Sequence, residues 1–210
     1  MNPRRVLQLI CAATVLSLPS YASLLFDNAD PPLSVTTRNN SIEGVAAYLQ
    51  IGASNVTIGQ IAINAQPLQN GQLRFVIFGD VAPPGGTSGT LLFSDTTNVV
   101  ASSVLSYQFS DPFSFTLQAG QYYDIGAVFS GTDIRYTYDF TADSENGITS
   151  IASDQNIDDF ANPVQAGHGG VSDITIQLYS AAAVVPEPAI ALLSLLGLAC
   201  IGACRVRALN

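Results

Sequence analysis

The sequence lacks much of the equipment that enzymes use. It contains no tryptophan and no lysine, one histidine (His168) and three cysteines, and all three cysteines (Cys11, Cys200 and Cys204) lie in apolar stretches near the two ends. The long middle part therefore has no cysteine, which excludes a disulfide framework and a thiolate metal site there. A single histidine likewise excludes a multi-histidine zinc site. Stability in the middle part must come from its hydrophobic core.

Positive charge is also scarce. Between Asp27 and Asp173 the chain has 15 acidic residues against three arginines (Arg38, Arg74 and Arg135), a formal net charge of −12. Nucleic acids and anionic membrane surfaces repel such a domain, so we expect no nucleic-acid partner.

Catalytic motifs are missing as well. His168 lies in a Gly-His-Gly-Gly sequence, and no Gly-x-Ser-x-Gly element occurs anywhere in the chain. A carboxylate-based glycoside hydrolase would need two acids about 5–9 Å apart, and the only glutamates in the middle part are Glu43 and Glu145. We therefore predict a non-enzymatic protein and keep the hydrolase as the less favoured alternative.

The N-terminus has the three zones of a secretory signal. Two arginines open it, the mostly apolar stretch Val6–Leu18 follows, and Ser20 and Ala22 place small residues at the −3 and −1 positions of a cleavage site. The apolar stretch is too short to span a bilayer stably. We predict that residues 1–22 form a helical signal peptide, which signal peptidase removes by cutting between Ala22 and Ser23.

The C-terminus reverses this order. A spacer leads to a tripeptide bounded by two prolines. An apolar segment at 189–204 follows, and after it come two basic residues, Arg205 and Arg207. The tripeptide consists of Pro186, Glu187 and Pro188. Sixteen helical residues rise about 24 Å, less than the roughly 30 Å hydrocarbon core, so the segment predicts a short transmembrane helix. The two arginines favour a cytoplasmic end.

These C-terminal features together resemble the PEP-CTERM sorting signal of Gram-negative bacteria. The resemblance covers residues 184–207, although the basic tip is Arg-Val-Arg and not a tight arginine cluster. It implies that residues 181–210 are a sorting signal recognised at the tripeptide by an exosortase-type membrane enzyme. The expected route is transient anchoring in the inner membrane with a periplasmic ectodomain, followed by transfer to the cell surface or an exopolysaccharide matrix.

The middle part, residues 23–180, predicts one all-β domain, because short β-rich runs alternate with glycine, proline, asparagine and aspartate and no amphipathic helix is evident. The predicted strands are Val45–Ile51, Val56–Ile63, Leu73–Phe78, Thr90–Ser94, Val99–Tyr107, Phe113–Leu117, Tyr122–Phe129, Ile134–Phe140, Ile148–Ile151 and Ser172–Tyr179. Asn70-Gly71 is typical of a hairpin turn. About ten strands in one domain favour an antiparallel β-sandwich with jelly-roll-like connections.

Residues 40 to 130 also resemble the "choice-of-anchor" ectodomains, which are β-sandwich domains found with varied C-terminal anchors. That family implies no established reaction. The segments that carry the resemblance are Ser41–Ile51, Val56–Ile63, Arg74–Phe78, Gly89–Leu92 and Leu117–Tyr123.

The acidic residues raise one metal hypothesis. Asp154-Gln155-Asn156-Ile157-Asp158 begins like a calcium loop, but Asp159 stands where an EF-hand has glycine and Gln165 where it has glutamate. An EF-hand is therefore rejected. A looser calcium site formed by Asp154, Asn156, Asp158 or Asp159 is the one cofactor hypothesis that the sequence leaves open, beside that of a solvated acidic loop.

Tyrosines in the predicted strands lead to a second functional hypothesis. Exposed tyrosines can stack on sugar rings, whereas strand tyrosines are often half-buried. The tyrosines in question are Tyr48, Tyr107, Tyr122, Tyr123, Tyr136, Tyr138 and Tyr179. The first hypothesis is thus an exported surface or matrix protein, and the alternative is an extracellular carbohydrate-binding module that attaches to exopolysaccharide.

Overall fold

The computed structural model describes residues 22–29, 34–38, 43–79, 89–168 and 173–181. These residues belong to one compact unit, Ala22–Ala181. The described part is all-β, with two antiparallel sheets and no helix. Accordingly, no helix in the described ranges is long and apolar enough to cross a membrane. The predicted signal peptide up to residue 21 and the predicted helix at 189–204 lie outside the described residues.

Sheet A contains eight strands, numbered here in chain order through the whole domain. They are β1 (Leu24–Asp27), β2 (Ser34–Arg38), β4 (Val56–Pro67), β7 (Ser106–Phe109), β8 (Phe115–Leu117), β10 (Ile134–Asp139), β14 (Asp173–Ile174) and β15 (Ile176–Ser180). The long strand β4 organises this sheet, because β15 and β10 pair along one side of it and β8 and β7 along the other. Strand β1 extends the sheet beyond β15, and β2 extends it beyond β10.

Sheet B contains the other seven strands. They are β3 (Glu43–Ile51), β5 (Gly71–Gly79), β6 (Thr90–Val99), β9 (Tyr122–Phe129), β11 (Ser144–Glu145), β12 (Ile148–Asp158) and β13 (Val164–His168). Their order is β11-β12-β3-β9-β5-β6, and β13 pairs with β12. The chain passes repeatedly from one sheet to the other, so most of the pairings join strands far apart in sequence.

The main core lies between the two sheets and follows the two-residue period of the strands. In β10, Ile134, Tyr136 and Tyr138 face this core, while Arg135 between them is exposed. In β14 and β15 the core residues are Ile174, Ile176 and Leu178, as the sequence pattern predicts. Phe140, which the same pattern assigned to the buried face, is 52% exposed because β10 ends at Asp139.

The outer face of sheet B carries a second, smaller apolar cluster, formed mainly by β3, β5 and β9. Its fully buried members are Ala46, Tyr48, Val76, Phe78, Val128 and Ile157. Phe160, in the connection between β12 and β13, packs against it. Arg74 of β5 donates hydrogen bonds to the carbonyl oxygens of Phe160 (3.0 Å) and Ala161 (2.6 Å). The β12–β13 connection therefore lies across this face, which explains why β5 is apolar on both sides.

Several strand predictions need correction. The stretch Val99–Tyr107 was predicted as one strand, whereas β6 ends at Val99 and β7 begins only at Ser106. Asn70-Gly71 is not a hairpin turn, because the strands on either side of it, β4 and β5, belong to different sheets. Strands β1, β2, β11 and β13 were not predicted, since they are short and lack a strong alternation of apolar and polar residues.

Candidate functional site

The predicted sorting residues cannot be placed on the domain. Pro186, Glu187, Pro188, Arg205 and Arg207 lie outside the described residues. Both residues of the predicted cleavage site, Ala22 and Ser23, are described, and they lie just before β1. Ser23 follows Ala22 and precedes β1, and it is hydrogen-bonded to the end of β15 at Ser180.

The segment that begins like a calcium loop is largely a strand. Residues Asp154 to Asp158 belong to β12, where Asp154 pairs with Ala47 and Asp158 with Glu43. An extended strand separates Cα atoms four residues apart by about 13 Å, whereas a calcium loop curls its ligands around one ion. The strand agrees with the rejection of an EF-hand.

The remaining metal-site residues are spread out as well. Asp159 lies in the turn after β12, with φ at 61°, and its carboxylate accepts a hydrogen bond from the backbone N–H of Ala161 at 2.8 Å. Asn156 is half-buried, and the side chain of Asp154 is not among those described. The described side chains contain no group of three or more His, Cys, Asp or Glu that could hold a metal. A looser calcium site stays a prediction.

The tyrosines divide into two groups. Tyr48, Tyr123, Tyr136 and Tyr138 are buried and belong to the apolar clusters. The other three are half-buried: Tyr122 stacks on Tyr48 on the outer face of sheet B, while Tyr107 and Tyr179 lie on the outer face of sheet A. Tyr107 and Tyr179 thus share the outer face of sheet A.

One row of residues crosses four strands of sheet A on its outer face. In register, Phe109 of β7 stands opposite Ala62 of β4, Ala62 opposite Gln177 of β15, and Gln177 opposite Asp27 of β1. Tyr107 and Tyr179 flank this row, two residues from Phe109 and Gln177 respectively. Residues two apart on a strand share a face, so all these side chains project on one side. We call Asp27, Tyr107, Phe109, Gln177 and Tyr179 the sheet A platform.

The aromatic rings of the platform lie across the sheet. Strand β7 is separated from β1 by three inter-strand spacings, about 14 Å, yet the Tyr107 hydroxyl donates a 3.4 Å hydrogen bond to the Asp27 carboxylate. The Phe109 ring meets that of Tyr179 with centroids 6.0 Å apart and planes tilted by 50°. Tyr107 therefore extends over β4 and β15, and Ala62 of β4, which stands opposite Phe109 on the same outer face, is fully buried.

Hydrogen bonds fix the polar part of the platform. Asp27 also accepts a 2.7 Å bond from the Gln177 amide, whose oxygen accepts a 2.8 Å bond from the Tyr179 hydroxyl. Burial, and then the negative charge of Asp27, raises the pKa of both Tyr107 and Tyr179. The two phenols therefore stay protonated at neutral pH and act as donors to this chain of partners, which holds the rings in one orientation.

A second polar cluster is enclosed on the outer face of sheet B. Asp124 of β9 is fully buried, and its carboxylate accepts a hydrogen bond from the Gln165 amide of β13. The Gln165 side-chain oxygen in turn accepts a bond from the backbone N–H of Gly89. Asp173, also fully buried, accepts a 3.4 Å bond from the backbone N–H of Tyr48. Gln165 thereby ties β13 to the central strand β9 and to the start of β6.

The environment of this cluster alters its ionisation. Burial and the nearby charge of Asp173 raise the pKa of Asp124 from 3.8 to about 7, against the opposite effect of the Gln165 hydrogen bond. Burial, with Asp124 and Tyr122 nearby, raises the pKa of Tyr48 to about 12. The second oxygen of Asp124 has no hydrogen-bond partner among the described residues. A fraction of this carboxyl is therefore protonated at neutral pH.

Several of these residues have no recognisable signal in the sequence. Phe109 fell outside every predicted strand, and Asp27 lies in a short strand that the pattern did not show. Gln177 lies on the polar side of a correctly predicted strand, but nothing in its neighbours marked it as a platform residue. Asp124 interrupts an otherwise apolar run, Tyr122–Phe129, and this was the one available sign of a buried carboxylate.

No family model, no curated protein and no solved structure matches the chain. Its function therefore has to be inferred from its own residues.

Proposed function

We propose that the protein is an exported, non-enzymatic protein of the cell surface or of an exopolysaccharide matrix. In this proposal residues 23–180 form a jelly-roll-like β-sandwich ectodomain, residues 1–22 a helical signal peptide, and residues 181–210 a PEP-CTERM-type sorting signal with a transmembrane helix at 189–204. The ectodomain is the part that acts, and the two ends deliver it.

One observation carries this proposal. The main core draws its members from Phe26 through Leu178, and strands of both sheets contribute to it. A core supplied by residues 23–180 is what a domain needs if segments at both of its ends are removed during export.

The residues of the C-terminal segment have distinct tasks in the proposed route. The helix at 189–204 holds the protein in the inner membrane, with Arg205 and Arg207 on the cytoplasmic side. Pro186 and Pro188 disfavour helix, so Glu187 is presented in extended backbone just outside the membrane. An exosortase-type enzyme then recognises the tripeptide, and the ectodomain proceeds to the surface or the matrix.

A non-enzymatic role is supported by the burial of the candidate acids. Asp124 and Asp173 are near enough for the charge of one to raise the pKa of the other, as in a carboxylate pair, but both have no exposed surface. A glycoside hydrolase needs its acids in contact with the sugar that is cleaved. The protonation of Asp124 instead affects the stability of the fold.

The experiment that tests the sorting proposal is a substitution that keeps the membrane helix intact. We expect Glu187→Ala to leave the protein in the inner-membrane fraction, whereas the matched neighbour Val185→Ala is exported as the unaltered protein is. Intact mass spectrometry of the native protein should show a start at Ser23 and a shortened C-terminus. Unchanged location of the Glu187→Ala protein, together with a native mass that includes residues 189–204, would contradict the proposal.

A further inference from the structure

We propose that the sheet A platform binds an uncharged polysaccharide chain, laid across β7, β4, β15 and β1. This inference rests on the proposed function, because it names the partner that an exported matrix protein would hold. It concerns the five residues Asp27, Tyr107, Phe109, Gln177 and Tyr179, which form one surface on the outer face of sheet A.

The first argument is the grouping of the rings. The Tyr107 hydroxyl donates to Asp27, which lies three strands away, and the Phe109 ring meets the Tyr179 ring with planes tilted by 50°. Phe109 is 43% exposed, so this aromatic group has surface that a ligand can contact. The faces of aromatic rings carry partial negative charge. The C–H-rich face of a pyranose ring, which is apolar with slightly positive hydrogens, is complementary to such a surface.

The second argument is the row of planar polar groups beside the rings. The Asp27 carboxylate and the Gln177 amide are held by internal hydrogen bonds but still have acceptor and donor capacity left. Sugar hydroxyls, each a donor and an acceptor, match that capacity at the rim of a stacked ring. A hydroxyl-rich ligand thus replaces the water on both parts of the platform at once.

Charge and polarity argue against two other occupants. The platform contains a carboxylate and no arginine, on a domain with 15 acids and three arginines, so an acidic polymer is repelled. An apolar protein surface, or a second copy of this face, would cover the Asp27 carboxylate without donors to replace its remaining water, and dehydrating a charged group in this way is costly. An uncharged polyhydroxylated chain avoids both penalties.

The test is affinity electrophoresis of the full-length protein in mild detergent, through gels that contain single soluble polysaccharides. The neutral probes have glucose, mannose, galactose or xylose backbones, and alginate serves as the acidic probe. We expect at least one neutral polysaccharide to retard the protein and alginate to have no effect. Raising sodium chloride from about 50 mM to about 500 mM should change the retardation little, because no ion pair contributes.

Matched variants assign the binding to the platform. Phe109→Ala should weaken binding about tenfold or more, as expected for loss of a central aromatic contact. Phe140→Ala is the control, since Phe140 is exposed to a similar extent (52% against 43%) but follows β10 away from the platform. Tyr107→Phe keeps the ring and removes its bond to Asp27, so a fall of about threefold is expected even if the alanine variant folds poorly.

Three results would overturn the inference: no retardation by any neutral probe, equal binding by the Phe109→Ala and Phe140→Ala variants, or a concentration-dependent dimer that Phe109→Ala abolishes. The proposed export route is judged separately. Glu187→Ala should stay in the inner membrane and bind polysaccharide normally. If it is exported but binds, the export route alone is contradicted, and if the unaltered protein is exported but binds no neutral probe, the platform proposal alone is contradicted.

Discussion

Ser23 and Ser180 hold the two ends of the compact unit against each other. The backbone N–H of Ser23 donates to the Ser180 hydroxyl at 2.8 Å, the N–H of Ser180 donates to the Ser23 carbonyl oxygen at 2.8 Å, and the two hydroxyl oxygens are 3.0 Å apart. The start of β1 and the end of β15 therefore lie side by side in sheet A.

This adjacency predicts a disulfide. Replacing Ser23 and Ser180 by cysteine, in a background where Cys11, Cys200 and Cys204 are alanine, should give an intramolecular bond, because side-chain atoms 3.0 Å apart place the two Cβ atoms within bonding reach. The bond closes a loop between residues 157 positions apart. We expect the free energy of unfolding to rise by about 2–4 kcal/mol in the oxidised protein, measured by urea denaturation.

The reduced double variant and the single Ser23→Cys variant are the controls, and both should unfold at the urea concentration of the parent. Exclusively intermolecular cross-links in the oxidised double variant would show that the ends of β1 and β15 do not meet.

The buried Asp124 predicts a dependence of stability on pH. Its pKa is 3.8 in the unfolded chain and about 7 in the folded domain, so the folded state binds more protons between these values. The contribution of Asp124 is therefore most favourable below pH 4 and is lost as the pH rises to about 7. Asp124→Asn, which can still accept the Gln165 bond, should raise the free energy of unfolding at pH 8 by at most about 4 kcal/mol.

The measurement is urea denaturation of the Asp124→Asn and unaltered proteins at a series of pH values from about 4 to about 8. The difference between them should grow with pH. Asp158→Asn, at an exposed position of β12, should show no such trend. If both variants follow the unaltered protein at all pH values, Asp124 is ionised in the folded domain without cost.

The strands that sequence patterning predicts well are those that line the main core. Tyr122–Phe129 coincides with β9, and Leu73–Phe78 lies within β5, because both are continuous runs of residues with strong β propensity. The two-residue pattern fails to predict strand ends where residues are buried outside the main core. Strand β12 continues to Asp158, well beyond the predicted end at Ile151, and its Ile157 is buried in the cluster on the outer face of sheet B.

The platform shows the same limit for functional residues. Asp27 and Gln177 are 150 residues apart in sequence and meet only because β1 pairs with β15. Tyr107 was recognised as a candidate because of its residue type, but its orientation depends on Asp27, which no local pattern connects to it. Long-range strand pairing is the information that a single sequence does not display.

Arg74 holds the β12–β13 connection by hydrogen bonds, so replacing it should loosen that connection. It donates to the carbonyl oxygens of Phe160 and Ala161 and to the Ser94 hydroxyl. Methionine keeps the length of the side chain but leaves these acceptors unpaired, so Arg74→Met should cost about 2–3 kcal/mol. Hydrogen exchange should accelerate mainly at residues 159–163, because the loss is local.

The matched control for Arg74 is Arg135→Met on β10. Arg135 is exposed, and among the described residues its guanidinium donates one 3.3 Å bond, to Gln66, so the change in unfolding free energy should stay within about 0.5 kcal/mol. Equal effects of the two substitutions would show that Arg74 does not hold the connection.

Gly126 allows strands β9 and β3 of sheet B to approach closely, so a larger residue there should destabilise the domain. It lies in β9 opposite Ala46 of β3, and a Cβ at this position would collide with the carbonyl oxygen of Val45 and the Cα atom of Ala46. These are backbone atoms, which cannot rotate away, so Gly126→Ala must push β3 from β9 and should cost about 3 kcal/mol or more.

Gly120→Ala is the informative comparison, because Gly120 has a positive φ of 73° but no described atom within 4 Å of the position of the new Cβ. Backbone strain alone should cost about 1 kcal/mol there. Urea denaturation ranks the two variants, and a larger loss for Gly120→Ala would mean that the strands can separate at Gly126 without loss of packing on the outer face of sheet B.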